Sequence, residues 1–175
     1  MSNLTLELYP IQSGDRNIVP AKGELLSRIV LKVRDCAGVE FVVFNVNWDA
    51  WSLIDWLLLN EKDILSERFP FVEAGALVES VCSALDNELS YVEEDLLYEY
   101  RTRHDVRFAL RGVDVPSVLL GVGAQGGEVS MYFENKCLRF SVDFDGFLVR
   151  LRKVAASIST GLGVGYLESF VVVGG

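Results

Sequence analysis

The sequence predicts an α+β fold built on antiparallel sheet. Three observations carry that expectation: apolar residues alternate with polar ones near the N-terminus and again after Val115, they recur at helical spacing through the middle, and strands and helices come in runs instead of alternating strictly. The 175 residues suit a single domain with its own core, since half are apolar, 11% aromatic and only 23% charged.

The first strand places Leu4, Leu6 and Leu8 at every second position. Residues 11–23, with Gly14, Pro20 and Gly23, read as a loop. A hairpin follows: Ile29, Leu31 and Val33 face one side, while Arg28, Lys32 and Arg34 share the other with Val30. Asp35-Cys36-Ala37-Gly38 makes its turn and residues 40–46 its second strand. A helix then starts at Asn47 or Asp49, either of which can cap it, and runs through Trp51, Ile54 and Leu58 to about Ser66. Leu53, Trp56, Leu57 and Leu59 widen its apolar surface, so it should be covered on more than one side. Trp48, Trp51 and Trp56 read as core residues, not as an aromatic ligand cage.

Beyond Phe69-Pro70, the apolar residues Val78, Cys82, Leu85, Leu89, Val92 and Leu96 recur at steps of four and three, with no Gly or Pro between Ala76 and Arg111. This is one long helix or two, with Ser90 and Glu93 as a capping box at the joint. Period two returns in 117–122, 128–134 and 136–142, a three-stranded meander with turns at Gly126-Gly127 and near Asn135. A last helix, 143–159, aligns Phe144, Phe147, Leu148, Leu151, Ala155 and Ile158 on one face and puts Arg150, Arg152 and Lys153 largely on the other. The tail from Gly161 is glycine-rich and flexible in character, and Val171 to Val173 suggest an added strand.

Catalytic and cofactor motifs are weak. Gly121-Val-Gly123-Ala-Gln-Gly126 has the form of a dinucleotide fingerprint, but that chemistry needs a helix N-terminus right after the glycines, and here a strand follows. A hairpin turn is expected instead. Gly161-Leu-Gly163-Val-Gly165 resembles a phosphate loop yet follows a helix and precedes an apolar run, so no cofactor is expected. His104 is the only histidine and the one weak catalytic candidate. Arg101, Arg103 and Arg107 stand around it as a weak anion site, against the plainer reading of cations that complement a helix C-terminus. Glu93-Glu94-Asp95 and Asp143 with Asp145 are paired acids, but neighbours on a helix do not converge as metal ligands must, and no metal site is expected. Cys36, Cys82 and Cys137 lack metal or redox spacing and read as reduced thiols.

Charge distribution is the informative feature. Residues 55–105 hold thirteen acids and four bases, so the whole net charge of −9 lies in that segment and the remainder is neutral. Between Glu73 and Tyr100 there are eight acids and no Lys or Arg. Such a surface attracts a basic partner, speeds association and weakens as salt rises. The expected function is therefore a non-enzymatic interaction module of the inhibitor or toxin-immunity type that neutralises a basic protein. Glu79, Asp86, Glu88, Glu93, Glu94, Asp95 and Glu99 are its partner-binding residues. If the partner handles nucleic acid, the acids would substitute for a phosphate backbone. Direct nucleic-acid binding is not expected at a pI of about 4.6. A phosphorylated small molecule bound near His104, and a homo-oligomer joined through the tail, are the alternatives. No stretch is long and apolar enough to span a membrane and no export signal stands at the N-terminus, so a cytoplasmic location is expected.

Overall fold

A computed structural model describes residues 1–11, 25–159 and 170–173. The fold is α+β, with two antiparallel sheets of four and three strands. The glycines at 161–165 and most of the 11–23 loop lie outside the described residues.

The larger sheet runs β3-β2-β1-β7, formed by Asn3–Pro10 (β1), Leu26–Arg34 (β2), Glu40–Asp49 (β3) and Phe170–Val173 (β7). Because side chains alternate across a strand, Leu4, Leu6 and Leu8 share one face with Ile29, Leu31 and Val33, and all six are buried. The other face carries the ion pairs of Lys32 with Glu7 and Glu40, and of Arg34 with Glu40. Leu31 pairs with Phe44 but Lys32 pairs with Val42, so Val43 is a bulge residue, and consecutive Val43 and Phe44 can both be buried. The valines near the C-terminus do form a strand, and it pairs with β1 of the same chain.

The predicted helix after β3 is capped by Asp49. Its Oδ1 accepts from the Trp51 and Leu25 amides, and its Oδ2 from the amide and hydroxyl of Ser52. The segment divides at Asn60 into α1 (Ala50–Leu59) and α2 (Glu61–Ser66). Cover is less complete than the sequence suggested: Leu53, Ile54 and Leu57 are buried, but Leu59 faces solvent. The central segment likewise forms two helices, α3 (Leu77–Leu85) and α4 (Tyr91–His104), and the capping box is present where Glu93 Oε2 accepts from both the amide and the hydroxyl of Ser90. The final helix, α5 (Phe144–Ser159), buries Phe144, Phe147, Leu148, Leu151 and Ala155 as its spacing predicts, and Asp143 accepts from the amides of Asp145 and Gly146.

The smaller sheet, β4 (Val118–Gly123), β5 (Gly126–Phe133) and β6 (Lys136–Ser141), has both faces in use. Val118, Leu120, Val129, Met131 and Phe140 join the main core with the large sheet, α1 and α5, while Leu119 joins a second cluster with Phe69, Leu77, Val78, Val81, Leu97 and Tyr100. The β4–β5 turn is Ala124-Gln125, two residues before the predicted place, with Gly126 at φ +105° as the first residue of β5. Glu134 and Asn135, both at positive φ, close the next hairpin.

Candidate functional site

Three places in this architecture bear on function: the C-terminal end of α4, the outer surface of α3 and α4, and a cleft beside α1.

At the end of α4, the predicted anion cluster is built into the fold. The last turn sits over β4, where Asp105 makes a bridge with Leu119. His104 is fully buried; its Nδ1 lies 2.7 Å from the Leu120 carbonyl oxygen and its Nε2 lies 3.0 Å from Glu67 Oε2. Both ring nitrogens thus face acceptors, and both bonds form together only with a proton on each nitrogen or on the Glu67 carboxyl. Arg103 donates to both oxygens of the same carboxylate, at 2.7 and 2.9 Å. That guanidinium holds the Glu67 carboxyl below the usual carboxylate range, with help from His104 and against the opposing effect of burial. Tyr100 stacks on the imidazole with ring centroids 4.1 Å apart and meets Phe69 edge-on. Burial, with Glu67, Glu128 and Glu73 nearby, raises its phenol well above the ordinary value.

Arg107 donates to the buried Asp105 carboxylate at 2.8 Å, the Ser117 hydroxyl also donates to it, and Arg101 stands 3.9 Å away. Each of the three predicted anion-binding arginines therefore has a carboxylate of its own chain for a neighbour. His104, with both nitrogens engaged inside the fold, offers no free ring position to a substrate. What the group does is join α4 to β4 and to the segment after α2. The glycines of the fingerprint-like motif belong to this junction: a Cβ on Gly121 would lie 2.8 Å from His104 Nδ1. One on Gly123 would collide with the Glu128 carboxylate beside Arg139.

Glu128, itself buried, receives the N-terminus of α3. Its Oε1 accepts from the Leu77 amide at 2.6 Å, Ser130 Oγ accepts from the Val78 amide, and Arg139 pairs with the carboxylate at 2.6 Å. Amides that begin a helix lack partners within it, and here the sheet below supplies them.

The acids of the connecting residues 86–90 and of α4 face outward, apart from Glu93; Glu79, the one acid of α3, does not. Glu79 turns back to accept from the Ala76 amide and lies beside the Cys137 thiol, which burial pushes up to about 11. Glu93 is committed to the Ser90 cap. Asp86, Glu88, Glu94 and Asp95 are exposed, and among the described residues none of them forms an ion pair. Glu99 has only Arg103, at 3.9 Å. Arg152 pairs with Glu61, away from this surface.

Here the structure corrects the sequence reading of the apolar stripe. α4 buries Leu97, Tyr100 and His104, and it leaves Val92 66% and Leu96 45% exposed, together with Tyr91 at 77% and Tyr98 at 55%. Leu85, at the end of α3, is 53% exposed. Already in α3 the buried face is Leu77, Val78, Val81 and Ala84, so the predicted series keeps Val78 but leaves Cys82 half-buried and Leu85 exposed, and it changes phase again across the break at 86–90. The competing series Leu97, Tyr100, His104, at spacings of three and four, was the legible signal for the buried face. The acids thus alternate with exposed aromatic and aliphatic side chains.

The tryptophans sit at the margin of the main core, each partly buried and packed against it. Trp56 Nε1 donates to the Thr102 carbonyl, so α1 and α4 are tied together. Trp48 and Trp56 also line a cleft of about 810 Å³ with Asp55, Phe108 and Arg111. Among the described residues no three His, Cys, Asp or Glu side chains gather as metal ligands, and no helix is long and apolar enough to cross a membrane. No protein-family model, curated protein or solved structure matches the chain.

Proposed function

We propose that this chain is a non-enzymatic interaction module that binds and neutralises a basic protein through the surface formed by α4 and the connecting residues 86–90, as an inhibitor or immunity-type protein would. One observation carries the reading: Asp86, Glu88, Glu94, Asp95 and Glu99 project among exposed Tyr91, Val92, Leu96 and Tyr98, and among the described residues Glu99 alone of the five forms an ion pair, with Arg103 at 3.9 Å. Carboxylates alone accelerate encounter and suppress wrong partners, whereas exposed aromatic residues supply the area that makes a complex last. Having both on one helix favours a protein partner over a diffuse counter-ion atmosphere. If the partner is an enzyme that handles nucleic acid, the carboxylates stand in for phosphates. Glu79 and Glu93 serve as caps and contribute to the field without direct contact.

The test uses the chain and a variant with Asp86, Glu88, Glu94, Asp95 and Glu99 all changed to Lys, each immobilised and exposed to extract of the native host at low and at high salt. A basic protein should be retained by the wild type at low salt, released at high salt and absent from the variant. Retention of that protein by the charge-reversed variant would refute the reading.

A further inference from the structure

We propose that the groove between the end of α3 and the outer side of α4 seats an apolar side chain of a cationic peptide segment, flanked by Lys or Arg. This rests on the reading of the acidic surface as the partner-binding face and adds an anchor pocket to its field. The groove encloses about 390 Å³, with Leu85, Leu89, Leu97 and Tyr98 as its walls and Glu94 and Asp95 at its rim.

The groove follows from the chain path. α3 ends at Leu85 and α4 begins at Tyr91, so the two helices part at the connecting residues 86–90. Leu97 is buried at the base, while Leu85 and Tyr98, which a closed helix pair would cover, remain more than half exposed. Arg101, also at the groove, turns its guanidinium towards Asp105, 3.9 Å away, and over the Phe108 ring. Among the described residues neither Glu94 nor Asp95 forms an ion pair, with Arg101 or with any other cation.

Charge complementarity selects the occupant. An apolar groove edged by free carboxylates disfavours an acidic or neutral polar segment, because each would leave the rim charges unanswered. A segment with Lys or Arg on either side of one Phe, Leu or Met answers the rim and fills the groove. Steering by charge mostly changes the association rate, while dissociation is slowed by a desolvated anchor in a pocket. The pocket accounts for how a face dominated by charge would hold its partner at physiological salt.

The test uses two fluorescent 14-residue peptides of lysine and alanine, one with Phe at the centre and one with Ser there, titrated by anisotropy at low and moderate salt. The Phe peptide should bind the wild type about 10-fold more tightly than the Ser peptide, an energy typical of a single anchor. That ratio should fall towards one in Leu85→Asn and Tyr98→Ser chains whose circular dichroism and urea midpoints match the wild type. Equal, salt-sensitive binding of both peptides would overturn the anchor pocket and leave the acidic-face reading standing. Absent or salt-insensitive binding of both would overturn the two together. A Phe advantage that survives both substitutions would place the anchor elsewhere and overturn the proposal.

Discussion

Substituting Gly121 by Ala tests whether the glycines of 121–126 exist for packing. A Cβ at this position would stand 2.8 Å from His104 Nδ1, and 3.3 Å from both its Cε1 and Leu77 Cδ1. His104 cannot retreat, because Nδ1 is bonded to the Leu120 carbonyl, Nε2 to Glu67, and the ring is stacked on Tyr100. Overpacking of this kind costs about 1–3 kcal/mol. Displacement of the ring would leave the Leu120 carbonyl without its donor, a further cost of about 1–3 kcal/mol for a buried group. Restricting the unfolded chain returns about 0.4–1 kcal/mol. The net expectation is a loss of about 1–5 kcal/mol, centred on about 3 kcal/mol, read as a lower urea midpoint with unchanged m-value, or at the centre as a melting point lower by about 6–12 °C for a chain of this size. Gly126→Ala is the control for backbone conformation alone, since a Cβ there meets nothing within 4 Å although φ is +105°. Its cost should be about 1–2 kcal/mol, that of holding an L-residue at positive φ without a clash. If Gly121→Ala is neutral, or costs less than Gly126→Ala, then α4 is not pressed against β4 through His104 and the packing account of the motif is wrong.

Two further outcomes are expected. The Glu67 carboxyl is held below its usual range in the folded chain, so the stability it contributes is present above the unfolded value of about 4.3 and is lost as pH falls through the lower folded value. The gap in urea midpoint between the wild type and Glu67→Gln should therefore close as pH is lowered from 6 to 2.5, and a gap constant over that range would contradict the Arg103–Glu67–His104 arrangement. Ser90→Ala removes the hydroxyl that shares Glu93 with the backbone at the start of α4, and should cost about 0.5–2 kcal/mol in thermal or urea unfolding. An unchanged midpoint would show that α4 is held by its C-terminal end alone.

Much of the fold was legible because it depends on period. Alternation found both sheets, and helical spacing found α5 down to its buried residues. The period is plain where a segment has one wet and one dry face, as in β1 and α5, whereas β4 is covered on both faces and stands out as an apolar run bounded by turn residues. The central region resisted because Val92 and Leu96 continue the spacing begun in α3 while Leu97, Tyr100 and His104 offer a second helical series, and spacing alone does not say which of two such series is buried. The partners of His104 were beyond reach for a different reason. Glu67 is 37 residues away and Leu120 is 16 residues away, so the contacts exist only once α2, α4 and β4 have come together. The sequence could name His104, Arg101, Arg103 and Arg107 as a cluster with Asp105 in its midst, but not bring in Glu67, the distant carboxylate that Arg103 and His104 share. For the acids the reverse holds: an absence of Lys and Arg over 73–100 is a property of sequence, and only their exposure needed coordinates.

How α4 tolerates its acids bears on the recognition proposed for them. Like charges on one helix destabilise it when they stand three or four apart. Here Glu93, Glu94 and Asp95 lie in the first turns, where the dipole favours negative charge, and Arg101, Arg103 and His104 lie in the last, where it favours positive charge. The apolar seal is small, for only Leu97, Tyr100 and His104 are buried along fourteen residues. Position is instead fixed at the C-terminal end by His104 on β4, Arg103 on Glu67 and the Thr102 carbonyl on Trp56. A helix anchored by one end through polar contacts keeps its outward carboxylates at set spacing without covering them. Groups held in place before a partner arrives lose little freedom on binding, so more of the interaction energy remains as affinity.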